Sequence, residues 1–205
     1  MVDAPPDLAV RSFPAVSAID TCAVWNILCS RTLNSATKGQ NRHFVLADYV
    51  RYECLVKRRS NGKSEIEASM QRQLSAELEE GRSFSVHQLA VGDLLELVTA
   101  VGSPRRFDKG EFAALALARK LNNGFLTDDR AAKRVGESVV GTALVRTTPH
   151  LVGWLVFAGC LVDGDIPTII KDNKVFRGDN GHLGQFIQKS YEHALGLRLC
   201  DRLAR

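Results

Sequence analysis

The sequence predicts one α/β domain: a central parallel sheet flanked by helices. Short apolar runs alternate along the chain with helical patterns of roughly ten or more residues, the order that builds parallel βαβ units. Two of the apolar runs end on acids, as strands do when they enter a polar edge. A chain of 205 residues holds one sizeable domain rather than two, and it shows neither internal repeat nor low-complexity tract.

The elements follow in order. Residues 1–14 carry Pro5, Pro6 and Pro14 and read as a flexible leader, with the domain proper over 15–205. AVSAI (15–19) reads as a buried strand ending on Asp20. TCAVWNILCS places Val24, Ile27 and Leu28 at helical spacing. The polar stretch 30–40, with Gly39, reads as a loop, and FVLADYVRYECLVKRR reads as helix throughout, with Val50, Cys54 and Leu55 on one face. A charged helical insertion lies around 61–81, where Ile66, Met70, Leu74 and Leu78 form a narrow apolar stripe. Such a helix packs by that stripe, on the body or on a second copy, which leaves a homodimer open. SFSVHQL reads as strand and VGDLLELVTAV as helix. After SPRR, DKGEFAALALARKLN is helical with acids in its first turn, where the macrodipole favours them. GFLT is a strand, DDRAAKRVG a helix, VVGTALVRT a strand, and Pro149 opens an apolar helix. The tail from Gly181 forms a C-terminal helical extension with Phe186, Ile187, Tyr191, Ala194 and Leu195.

Composition excludes several function classes. Net charge of +4 and a pI near 8.9 permit a polyanionic partner without requiring one. The five cysteines (Cys22, Cys29, Cys54, Cys160, Cys200) form no CxxC pair and read as reduced core thiols. The N-terminus lacks the basic start and apolar core of a signal peptide, and the longest apolar run, 151–162, is too short to span a bilayer. A cytoplasmic protein with no membrane partner is expected. No GxGxxG follows a strand and no GKS or GKT occurs, which disfavours dinucleotide and NTP enzymes.

Acids gather at element ends. In a parallel sheet the carboxyl ends of the strands form the ligand crevice. Asp20 ends the first strand, Asp128 and Asp129 end GFLT, and Glu111 sits in a first helical turn that points back to the same edge. Glu53 lies among Tyr49, Val50, Leu55 and Val56, where a carboxylate is costly unless paired or bound to a cation. Taken singly, each acid reads as a cap or dipole partner.

Together these segments resemble PIN-domain nucleases, in particular the compact prokaryotic members typified by VapC toxins of toxin–antitoxin pairs. The resemblance rests on AIDTCAVWNIL, DYVRYECL, DKGEFAALALARKLNNGFLTDDRAAKR and VVGTALVR, and covers roughly 15–161. Glu111 and Asp129 are separated as the family's last two acids are, whereas Cys22 stands where the family often has Asn or Ser. The resemblance implies a PIN-like fold and a Mg²⁺- or Mn²⁺-dependent endoribonuclease, with RNA as substrate and an antitoxin protein as inhibitor.

The expected chemistry is hydrolysis of phosphodiesters. Carboxylates sharing one crevice repel and raise each other's pKa, and hard cations with oxygen ligands remove that conflict. Paired ions hold the attacking water and the leaving oxygen. On this reading Asp20, Glu53, Glu111 and Asp129 are catalytic. Asp20, Glu111 and Asp129 are the main metal ligands, and Glu53 ligates or orients a metal-bound water. Asp128 is an auxiliary ligand or, as favoured, the N-cap of the next helix. Thr127 bonds a carboxylate or the scissile phosphate, and Asp108 caps the Glu111 helix. Arg130 and Lys133 bind substrate within a basic rim that includes Lys57, Arg58, Arg59, Arg105, Arg106 and Arg134. The five histidines (His43, His87, His150, His182, His193) form no metal-ligand spacing and are read as surface or core residues. Two alternatives stand beside this: a catalytically inactive PIN-like binding or scaffold module, and a metal-dependent DNA nuclease.

Overall fold

The computed structural model describes residues 10–57, 64–102, 107–178 and 182–204. Within them lie five strands, all parallel, flanked by ten helices, an α/β domain as expected. The strands are β1 (Val16–Ile19), β2 (His43–Ala47), β3 (Phe84–His87), β4 (Gly124–Leu126) and β5 (Val145–Arg146). The helices are α1 (Thr21–Leu28), α2 (Arg31–Lys38), α3 (Asp48–Leu55), α4 (Glu65–Glu80), α5 (Val91–Val101), α6 (Lys109–Leu121), α7 (Arg130–Val140), α8 (Thr148–Phe157), α9 (Asp165–Arg177) and α10 (Leu183–Leu203).

The sheet order is β3-β2-β1-β4-β5. The chain therefore moves outward from β1 to β3 and then returns to the other side of β1. That reversal puts the topological switch point between β1 and β4, where open parallel sheets leave a crevice at their carboxyl ends. The register Ile19↔Leu126 sets Asp20 beside Thr127, and the Asp20 amide extends the pairing by donating to the Leu126 carbonyl at 3.1 Å.

Packing explains the local sequence. Residues 113–118 of α6 are all buried against the sheet, and the small Ala side chains among them let the helix approach β1, β2 and β4 closely. Phe44, Phe84 and Phe125 are fully buried, with the first two rings 5.4 Å apart. The α4 stripe packs on its own body: Met70 and Leu74 are buried, Leu78 partly so, while Ile66 stays exposed.

Four expectations need correction. The segment read as one helix from Phe44 onward opens instead with strand β2, because a continuous apolar run is what a strand buried on both faces looks like. The expected loop at 30–40 is helix α2, capped by Ser30, whose buried face (Leu33, Asn34, Thr37) is largely polar and so gave no apolar period. The expected strand VVGTALVRT contracts to β5, since Val139 and Val140 still belong to α7. Of the expected leader, 1–9 lies outside the described residues, but Val10 and Phe13 are buried; Phe13 stacks 5.6 Å from Trp154, and Arg11 forks onto Asp201 at 2.7 and 2.8 Å. Arg58, Arg59, Arg105 and Arg106, expected on the basic rim, also lie outside the described residues. Among the described residues no helix is long and apolar enough to cross a membrane.

Candidate active site

Asp20 leaves β1 in extended conformation and caps α1, which fixes both of its oxygens. Oδ1 accepts from the Ala23 amide at 2.7 Å, and Oδ2 accepts from the Thr127 hydroxyl at 2.5 Å. The residue is fully buried. Burial pushes its carboxyl up to about 7; the Thr127 and Ala23 bonds oppose that rise, and the charges of Asp128 and Glu111 add to it.

Thr127 ties this acid to the next. Its hydroxyl also accepts from the Asp129 amide at 3.2 Å, so one buried side chain spans Asp20 and the start of α7. Of its two expected roles, it takes the carboxylate contact. Asp129 caps α7, with Oδ1 accepting from the Ala131 and Ala132 amides at 2.7 Å each.

The expected cap, Asp128, is therefore corrected. Asp129 directly precedes Arg130 in extended conformation, the backbone a cap requires, so its neighbour turns elsewhere. Asp128 accepts from the Thr148 amide at 2.8 Å, from the Thr148 hydroxyl at 2.5 Å and from Asn26 Nδ2 at 2.7 Å. Burial pushes its carboxyl up, against the pull of those bonds and of Arg177.

Glu53 and Glu111 approach from the other side. Glu53 Oε2 accepts from the Thr21 hydroxyl at 2.7 Å, next in sequence to Asp20, and Oε1 accepts from Lys57 at 2.9 Å. The acid predicted to need a partner on an apolar face thus has a cation one helical turn away. Gly110 makes room for it, since a Cβ there would run into Glu53 Oε2 and sit 2.9 Å from Thr21 Oγ1. Glu111, in the first turn of α6, accepts from the Asp108 amide at 3.2 Å. Burial raises its carboxyl, the Asp108 amide opposes, and the charges of Asp129, Asp108 and Glu53 raise it further.

Glu111 thus feels the charges of Asp129 and Glu53, and Asp20 feels that of Glu111, at the carboxyl edge of the sheet. Even so, among the described residues no three His, Cys, Asp or Glu side chains are gathered as ligands of one ion. Each carboxylate is engaged instead by a hydroxyl, an amide or Lys57. The donor set is nevertheless all hard oxygen, and the carboxyls of Asp20 and Glu111, raised by burial first and by neighbouring acids second, are groups whose charged form a divalent cation would favour.

Sequence reasoning missed a second layer. Arg177, from a helix not anticipated, donates to Asn26 Oδ1 from Nε at 3.1 Å and Nη2 at 3.0 Å, and to the Cys22 carbonyl at 3.2 Å. Asn173 adds a bond to Asn26 at 3.3 Å. Asn26 thereby anchors Asp128. The available signal was a buried-looking Asn inside the apolar run AVWNIL. Position 22, where the side chain departs from the PIN pattern, contributes its carbonyl instead.

Beside the acids lies a cleft of about 520 Å³ between the starts of α7 and α8 and one face of α10. Asp128, Asp129, Arg130, Lys133, His150 and Lys189 are among its lining residues. His150, expected as a bystander, is pushed down to about 4 by burial, then by Lys133 and Arg146, so its ring is neutral at physiological pH. The chain matches no protein-family model, no curated protein and no solved structure.

Proposed function

We propose that the chain is a Mg²⁺- or Mn²⁺-dependent endoribonuclease that hydrolyses RNA phosphodiester bonds. The observation that supports it most is the Thr127–Asp20 bond at the switch point, with Glu53, Glu111 and Asp129 held around it by partners of their own. Asp20, Glu111 and Asp129 would hold the cation, which lowers the pKa of bound water and offsets charge developing on the phosphoryl oxygens. Thr127 keeps Asp20 and Asp129 in register. Glu53, oriented by Thr21, would ligate the cation or orient the attacking water. Arg130 and Lys133, on the adjoining cleft, hold the substrate backbone. A cytoplasmic setting, an antitoxin inhibitor and a homodimer belong to the same reading.

A second reading, a PIN-like module without catalysis, draws on the finding that the acids already hold hydrogen-bond partners and do not close into a three-ligand cluster. One experiment separates the two. Purified protein is incubated with labelled single-stranded RNA or DNA, with Mn²⁺ or with EDTA, alongside Asp20→Asn and Asp129→Asn. Manganese-dependent cleavage of RNA lost in both variants is expected. Cleavage that persists in EDTA or in both variants overturns the metal-nuclease reading, cleavage of DNA alone moves the substrate, and no cleavage favours the binding module.

A further inference from the structure

We propose that the cleft between the starts of α7 and α8 and α10 is a nucleotide pocket that seats one unit of a single-stranded nucleic acid, its base on Phe186 and its phosphate among Arg130, Lys133 and Lys189. This rests in part on the nuclease reading, because the pocket adjoins Asp129 and would fix the strand next to the acids.

The pocket has the two-sided character of a nucleotide. Pro149, Leu183 and Phe186 give it apolar wall, while Arg130, Lys133 and Lys189 give it three cations against the two acids Asp128 and Asp129, which line its end toward the site. Its volume, about 520 Å³, falls within the roughly 300–1,000 Å³ of small-ligand sites. Phe186 is not spent on the core. It is 48% exposed, whereas its neighbour Ile187 is 1% exposed and Ala194 is fully covered, so α10 is held to the body by another face. An aromatic ring left at the mouth of a cationic cleft offers a stacking surface that any base can use.

The cations are available as well. Lys133 has a single, long pairing, to Glu137 at 3.6 Å, and among the described residues neither Arg130 nor Lys189 is ion-paired. Stacking on Phe186 needs an uncovered base face, which a duplex hides between neighbouring bases. The pocket therefore selects single strands. The same chemistry would admit a free nucleoside monophosphate.

The test measures binding without catalysis. Full-length protein in EDTA is titrated against a fluorescein-labelled single-stranded oligoribonucleotide, an abasic oligomer of the same length and a duplex, by fluorescence anisotropy, with AMP as competitor. Phe186→Ala is expected to weaken single-strand binding about tenfold, with Phe186→Tyr close to the parent and the abasic oligomer insensitive to either change. Lys189→Gln is expected to weaken all three ligands and to flatten the salt dependence. Displacement by AMP would show that a free nucleotide fits; no displacement, with the Phe186 effect retained, assigns the pocket to a strand. Unchanged affinity in Phe186→Ala, or an equal loss for the abasic oligomer or the duplex, overturns the proposal. A protein that cleaves RNA yet ignores Phe186→Ala loses the pocket alone, whereas one that binds through Phe186 and never cleaves loses the nuclease reading alone.

Discussion

The hydroxyl of Thr127 donates to Oδ2 of Asp20 across the β1–β4 seam, and both residues are fully buried. A buried carboxylate is costly to ionise, and this hydroxyl is one of two donors that favour its charged form. Thr127→Val keeps the shape and removes the donor. Urea denaturation is expected to show a loss of about 1–3 kcal/mol at neutral pH. Manganese-dependent cleavage should fall as well, because Asp129 loses the contact from its amide.

Asp20 also sets a pH dependence. Its carboxyl ordinarily titrates at 3.8 and is raised to about 7 in the fold. Between those values the folded state holds a proton that the unfolded chain has released. The associated stability is therefore complete below pH 3.8 and is lost as pH rises through about 7. Its size is on the order of 4 kcal/mol. Asp20→Asn abolishes the titration but turns an amide donor toward the Thr127 hydroxyl or the Ala23 amide. In EDTA its melting temperature should therefore fall less than the parent's between pH 5 and pH 8, by roughly 5–10 °C, with no cleavage activity. Adding Mn²⁺ should raise the parent's melting temperature more at pH 8 than at pH 5.

The neighbouring acids should behave oppositely. Asn retains an acceptor, so Asp129→Asn keeps the α7 cap, with a stability cost below about 1 kcal/mol, but removes the charge and with it activity. Asp128→Asn leaves a donor facing the Thr148 amide, hydroxyl and Asn26, and should cost about 2–3 kcal/mol. Thermal denaturation beside the cleavage assay checks both. Equal effects of the two substitutions would contradict the division of roles between cap and anchor.

Gly110→Ala tests the placement of Glu53. The added methyl meets Glu53 Oε2, the far end of a flexible side chain, and Thr21 Oγ1 at 2.9 Å, so the acid moves and the bond between the two is disturbed while the fold accommodates it. Stability should change by less than about 1 kcal/mol while activity falls at least tenfold, on the scale of misplaced catalytic groups. A measured activity equal to the parent's would remove Glu53 from the machinery.

Much of this arrangement could be read from the residues. β1, α1, α6 and β4 declare themselves because each is marked by apolar residues with an acid at one end. Asp20 lies between β1 and α1, Glu111 in the first turn of α6, and Asp128 and Asp129 after β4, which brings Asp20, Glu111 and Asp129 to one edge. The unreadable parts failed for physical reasons. In β2, burial on both faces erases the alternation that marks a strand. In α2 the buried face uses Asn34 and Thr37, so polarity stood in for exposure. Which of two adjacent acids caps α7 depends on a single φ/ψ pair, and Arg177 reaches Asn26 from 151 residues away.

The sheet order bears on how the protein is made. β1 lies at the centre, yet its partner β4 emerges from the ribosome long after it, and Thr127 trails Asp20 by 107 positions. Until then β1 has an open edge and Asp20 faces solvent with its proton off. Before β4 the nascent polypeptide offers Asp20, Glu53 and Glu111 but not Asp129, so the site cannot assemble, and such distant pairing folds slowly. A cell making this protein would meet an assembled acidic edge only once the chain beyond Asp129 has left the ribosome.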